Sequence, residues 1–377
     1  SERRPTKIDW LGNVTFAVGL IAVMVGITYG IQPYGHHTMG WTSPKVLAEL
    51  IGGVAVLLVF CVIETRVEQP MFRIELFRIR AFAAGNLATL LSSIGRGGLQ
   101  FVLIIWLQGI WLPQHGYDFS STPLWAGIYM LPLIAGFLVA GPVSGILSDR
   151  YGARPFATGG MLLAALSFLL LEQLPVNFSY PAFAALLLLN GIGMGLFASP
   201  NRAGVMNSLP PHQRGAGAGM NATFQNSAMV LSIGIFFSLL IVGLSAHLPD
   251  SLQSGLQSHG VPAAQATKLA HLPPVTSLFA AFLGYNPIQQ LLGPALLHHL
   301  PAAQVAHLTG RSFFPQLMGG PFSDALSTAF TFAFIACLIA AGASWLRGGK
   351  YHYVEHDEPS ASQAAGPARA RETQPTT

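Results

Sequence analysis

The 377 residues carry 19 Lys and Arg against 15 Asp and Glu, a formal charge of +4, yet charged residues make up only 9% of the chain and hydrophobic ones 51%. Soluble domains carry about 25% charged residues, so this composition excludes a water-soluble globular fold and predicts an all-α polytopic membrane protein in a lipid bilayer. The basic residues are scattered through connections instead of lining one face or interleaving with aromatics, which argues against a nucleic-acid partner.

A hydrocarbon core of ~30 Å is crossed by ~20 helical residues. Apolar segments of that length predict about eight transmembrane helices, at 8–30, 46–63, 82–108, 124–147, 156–174, 181–201, 216–244 and 325–346. Arg3, Arg4 and Lys7 precede the first. Arg66, Arg73, Arg78 and Arg80 separate the second from the third, Arg150 and Arg154 the fourth from the fifth, Arg202 and Arg214 the sixth from the seventh, and Arg347 and Lys350 follow the eighth. The opposite connections 31–43, 109–123 and 175–180 contain no Lys or Arg. Cytoplasmic loops collect positive charge, so both termini are expected in the cytosol, with the chain in the plasma membrane. One connection, 245–323, is far longer than a turn and falls outside. Its apolar stretch 275–292 is broken by Gly284, Asn286 and Pro287, favouring an interfacial helix pair or a lid over a ninth crossing. Its histidines, His247, His259, His271, His298, His299 and His307, lack ligand spacing and read as solvated. The segment 347–377, rich in Ala, Ser, Pro and Glu, reads as a disordered cytosolic tail.

Polar side chains persist in a bilayer where they face a cavity or another helix. On the third helix Thr89, Ser92, Ser93, Arg96 and Gln100 recur at three- and four-residue steps, with Asn86 nearer the cytosolic end. Arg96 lies about 14 residues in, ~20 Å at 1.5 Å per residue and close to mid-membrane. A guanidinium there needs a carboxylate, carbonyls, water or an anion, and no Asp or Glu lies at that depth. Asn190, Ser199 and Asn201 on the sixth helix and Asn221, Gln225 and Asn226 on the seventh are further cavity candidates; the amides can equally hydrogen-bond between helices. Gly191, Gly193 and Gly195 fit close helix packing. Cys61 and Cys337 fall inside apolar spans and read as packing residues. No Walker, HExxH or GxSxG pattern is present, so no cofactor, metal site or enzyme activity is expected.

Between the fourth and fifth helices the string GPVSGILSDRYGARP, 141–155, combines a flexible turn glycine, Gly152, a close-approach glycine, Gly145, a potential acceptor, Asp149, and two bases, Arg150 and Arg154. It resembles the G-x-L-[SA]-D-R-x-G-x-[RK] loop motif of the major facilitator superfamily, matched by Gly145, Leu147, Ser148, Asp149, Arg150, Gly152 and Arg154. The strings at 106–145 and 193–220 extend the resemblance to the fourteen-helix drug:proton antiporters of the QacA and EmrB type, over about 9–350.

That resemblance implies a map. Residues 1–81 would hold a cytosolic linker and two inserted helices, and 82–346 the C-terminal six-helix bundle, a 3+3 inverted repeat. The N-terminal six-helix half would be a missing partner. The start Ser1-Glu2-Arg3-Arg4, without Met, reads as a cut through a linker of a longer protein. The implied function is proton-coupled efflux of amphipathic or cationic small molecules, with Asp149, Arg150 and Arg154 stabilising one state of a cytosolic gate. The alternatives are a truncated or split half that is inactive or a structural membrane subunit, and, more remotely, a membrane enzyme or lipid-handling protein using the outer loop.

Overall fold

The computed structural model describes residues 9–347 apart from 33, 36–38, 68, 69, 71, 285, 299 and 311. The expected tail beyond Arg347 lies outside the described residues, as do Arg3, Arg4, Lys7, His299, Arg311 and Lys350. Among the described residues every regular element is a helix, and eight helices are long and apolar enough to cross a membrane. The polytopic all-α fold expected from composition is the fold found.

The first two helices, α1 (Trp10–Gly30) and α2 (Pro44–Glu64), form a hairpin. Asp9 caps α1 by accepting from the Gly12 amide at 2.8 Å. Gly12, Gly19 and Gly26 recur every seven residues, two helical turns, so they share one face. Leu57 presses on Gly19 and Leu50 on Gly26, while Gly53 of α2 receives Val23. The hairpin reaches the remaining helices through a relay of rings, Phe16, Phe60, Phe72, Phe224, Phe77 and Phe82, with successive centroids 5.2 to 5.8 Å apart.

The bundle comprises α3 (Arg80–Gln114), α4 (Thr122–Tyr129) with α5 (Leu131–Tyr151), α6 (Ala153–Glu172), α7 (Tyr180–Asn207), α8 (Arg214–Ser258) and, after the outer connection, a final long helix. Between α8 and that helix stand α9 (Ala263–Ala270), α10 (Pro274–Phe282), α11 (Ile288–Leu297) and α12 (Ala302–Leu308); the last crossing is α13 (Phe313–Leu346). α7 packs between α5 and α6, and α13 against α3, α6 and α8. Its exterior is apolar: Ile146 is 73% exposed and Leu138 69%, positions that lipid rather than water covers.

Several boundaries depart from expectation. α3 runs past 108 to Gln114 through one π turn, Leu107–Trp111. Trp106 and Trp111 anchor it by donating their indole N–H groups to the Val176 and Phe178 carbonyls at 3.2 and 3.1 Å. The fourth crossing breaks at Met130, where Pro132 has no N–H to give the Ile128 carbonyl. The outer connection is shorter than 245–323, because α8 continues to Ser258 and α13 starts at Phe313. Leu244, Leu248, Leu252 and Leu256 keep burying one face of α8 at four-residue spacing, so the helix outlasts its membrane-like composition. Within the connection, α10 and α11 are too short to cross a bilayer and are separated at Gly284, where φ is +70°. His259 is half-buried, stacked on His307 at 5.0 Å and against Phe313, rather than freely solvated.

Candidate functional site

A cavity of about 360 Å³ opens between α3, α5, α7 and α8, in the half of the bundle nearer Arg80, Arg150 and Arg214. Its α3 wall is Thr89, Ser92, Ser93 and Arg96, a stripe at helical spacing. Phe137, Met194 and Phe197 supply apolar surface, and Asn201, Arg202, Asn221 and Gln225 complete the polar side. Arg96 is near the middle of Arg80–Gln114. Its guanidinium carbon sits 4.4 Å from the centroid of the Phe137 ring, and among the described residues it makes no hydrogen bond or ion pair. Behind it lies a chamber of about 50 Å³ that Arg96 shares with Gln100, Asn190 and Phe137. At ~30 Å³ per liquid water, that is room for solvent and not for a drug-sized ligand.

The buried amides form a cross-helix network. The Thr89 hydroxyl donates to the Gly85 carbonyl at 3.0 Å and accepts from Asn201 Nδ2 at 2.8 Å and Asn221 Nδ2 at 3.1 Å. Asn221 Nδ2 also donates to Asn86 Oδ1 at 2.9 Å, and Asn86 Nδ2 to the Phe82 carbonyl. About three turns back along α7 from Asn201, Asn190 donates to Ser167 Oγ of α6 at 2.7 Å. Buried amides are costly unless satisfied, and here helices satisfy one another.

Of the predicted cavity residues, Ser93, Arg96, Asn221 and Gln225 meet at the main cavity, and Gln100 and Asn190 at the chamber. Asn86 lines neither and is spent on Asn221. Asn226 is exposed on another face of α8 and joins neither cavity. Ser199 and Asn201, offered by the sixth helix, line it as well; Arg202, read from the sequence only as a cytosolic flank, also lines it, because its charge near a helix end resembles that of any loop flank and only packing brings it to the cavity.

The loop motif is a real turn. Gly152 has φ +90° and ψ 154°, a left-handed conformation that suits glycine, and joins α5 to α6. Gly145 brings α5 against α7, where a Cβ would lie 2.9 Å from Ser199 Oγ. Arg154 lies over the Trp345 ring at 3.9 Å, and Arg150 is 5.5 Å from the Tyr151 ring. Asp149 is exposed and accepts no hydrogen bond among the described residues.

Arg347, expected as a solvated flank of the last helix, is instead only 6% exposed. It folds between Gly85 and Gly204, whose missing side chains leave its space, and Nη1 donates to the Asn201 carbonyl at 3.4 Å.

The model of the Major Facilitator Superfamily matches residues 7–233. Among curated proteins of Bacillus subtilis (strain 168), the chain is 28% identical over 224 residues to the uncharacterized MFS-type transporter YhcA, covering 59% of this chain and 40% of that one. It is 25% identical over 264 residues to Multidrug resistance protein 3, 70% of this chain and 49% of the relative. It is likewise 25% identical over 313 residues to the Multidrug transporter protein MdtP, 81% and 53%. The chain spans about half the length of these curated relatives.

Proposed function

The chain belongs to the major facilitator superfamily, and on that premise we propose that it forms one wall of the central cavity of a secondary exporter of amphipathic small molecules. The observation that carries this is the cavity around Arg96, in which apolar rings and sulfur face hydroxyls, amides and two guanidinium groups. Its size falls in the ~300–1,000 Å³ range of small-molecule sites. Relatives named as multidrug transporters support export of varied compounds. Alternating access rocks one six-helix bundle against another about such a midplane site, so a second bundle completes the transporter and this chain alone does not transport. We place it in the plasma membrane with both termini cytosolic, as a fourteen-helix antiporter in which α1 and α2 are the inserted pair. Protons are the proposed coupling ion, with the titrating carboxylates in the other bundle.

Replacing Arg96 by Ala in the full-length transporter should lower efflux about tenfold or more, the scale of one lost charge-assisted hydrogen bond, with normal membrane abundance. Unchanged efflux would remove Arg96 from the cavity's function. A second reading, a separately made half that pairs with a six-helix partner, draws on the half-length overlap with the relatives; a second membrane polypeptide co-purifying with this chain would support it, and a single fused polypeptide by intact mass would end it.

A further inference from the structure

Building on the cavity function proposed above, we propose that this wall receives an anionic group: the substrate seats a carboxylate, or an oxyanion of like geometry, against Arg96 while its apolar body lies on Phe137, Met194 and Phe197. Two cations, Arg96 and Arg202, line the main cavity, and neither it nor the chamber behind Arg96 is lined by an Asp or Glu. Arg202 is exposed near the end of α7, whereas Arg96 is half-buried near the middle of α3. A low-dielectric cleft lined by one sign of charge concentrates the opposite charge within it.

The geometry at Arg96 narrows the chemistry. The guanidinium carbon lies over the Phe137 ring, 4.4 Å from its centroid, where the ring face stabilises the cation. The N–H groups lie in the guanidinium plane, as a fork that matches a carboxylate with two parallel hydrogen bonds. None of them is spent on another described residue. Gln225 lines the same cavity, also makes no hydrogen bond among the described residues, and carries two further amide donors. Asn221 is different, because its amide N–H groups are already committed to Asn86 and Thr89. An amphipathic cation would meet like charge at Arg96, whereas an amphipathic acid would give the guanidinium the anionic partner it does not have among the described residues.

The test uses three fluorescent probes of one apolar body, 1-pyrenebutyrate, 1-pyrenebutanol and 1-pyrenebutylamine, titrated onto the protein purified from its own membranes in a neutral detergent. The butyrate should bind about tenfold or more tightly than the amine, and Arg96→Gln should cost the butyrate about tenfold while leaving the butanol unchanged, the size of one charge-assisted interaction. If Arg96→Gln loses butanol binding too, Arg96→Lys decides: recovery of both probes supports an anion site, and recovery of butanol alone overturns it. Tighter binding of the amine than of the butyrate overturns the anion assignment and leaves the cavity function standing. Butanol binding with the butyrate excluded also overturns it, and assigns Arg96 to a carboxylate of the protein itself. Binding of none of the three overturns both the anion site and the cavity function.

Discussion

At the scale of single residues, the site is organised by what each polar atom is already bonded to. Thr89 and Asn221 face the cavity, yet their hydrogen-bonding groups are largely consumed in joining α3, α7 and α8. Arg96 and Gln225 keep their donors free of other described residues, as do Ser93, Ser199 and the exposed Arg202 at the same cavity. A polar stripe at helical spacing announces that one face of α3 meets something polar; which polar partner it meets is a property of the neighbouring helices. Asn221→Ala should remove two cross-helix bonds and lower bundle stability by about 1–2 kcal/mol, measured by unfolding in a titration with denaturing detergent. Thr89→Ser, which keeps the hydroxyl, should cost less than about 0.5 kcal/mol. An Asn221→Ala protein as stable as its parent would show that these bonds contribute nothing net.

Among the elements, α7 is the one the fold depends on most. Gly191 and Gly195 face α5: a side chain at Gly191 would strike the Leu133 carbonyl, and one at Gly195 would come 2.8 Å from the Phe137 carbonyl. Gly193 points the opposite way, into α6, with Ala164 N 2.7 Å from its Cβ position. Two-residue steps turn a helix by about 200°, so one short glycine run serves both neighbours at once. Small residues are what let membrane helices gain van der Waals contact, since lipid removes the hydrophobic drive between them. Gly191→Leu should therefore overpack the α5 contact by about 3 kcal/mol and reduce the folded protein recovered from membranes, as read by size-exclusion of a fluorescent fusion. Gly159→Leu, where a side chain meets open space, should leave recovery unchanged. Equal loss from both would point to glycine's backbone freedom and not to packing.

For the whole molecule, the hairpin of α1 and α2 is a satellite of the bundle. It buries its own glycine-lined seam, and it reaches the remaining helices through α8 and the phenylalanine relay. Cys337 is fully buried inside the bundle while Cys61 is exposed on the hairpin, so a thiol-reactive dye reports on bundle unfolding once Cys61 is removed. Deleting residues 10–64 should shift the midpoint of Cys337 labelling on heating by less than about 5 °C. A larger fall would make the hairpin part of the bundle's own core.

The chain's linear order was enough to determine the membrane character, the eight crossings, the turn at Gly152 and the polar stripe on α3, because each is a pattern of one segment against lipid or its own helical period. Tertiary structure alone decided that Asn226 lies outside the cavity while Arg202 lines it. It also buried Arg347 against Gly85 and Gly204. Each of these depends on which helix lies alongside, and at what axial register. Spacing along one helix cannot encode that, since the neighbours that satisfy Asn221 or make room for Arg347 are more than a hundred residues away in the chain.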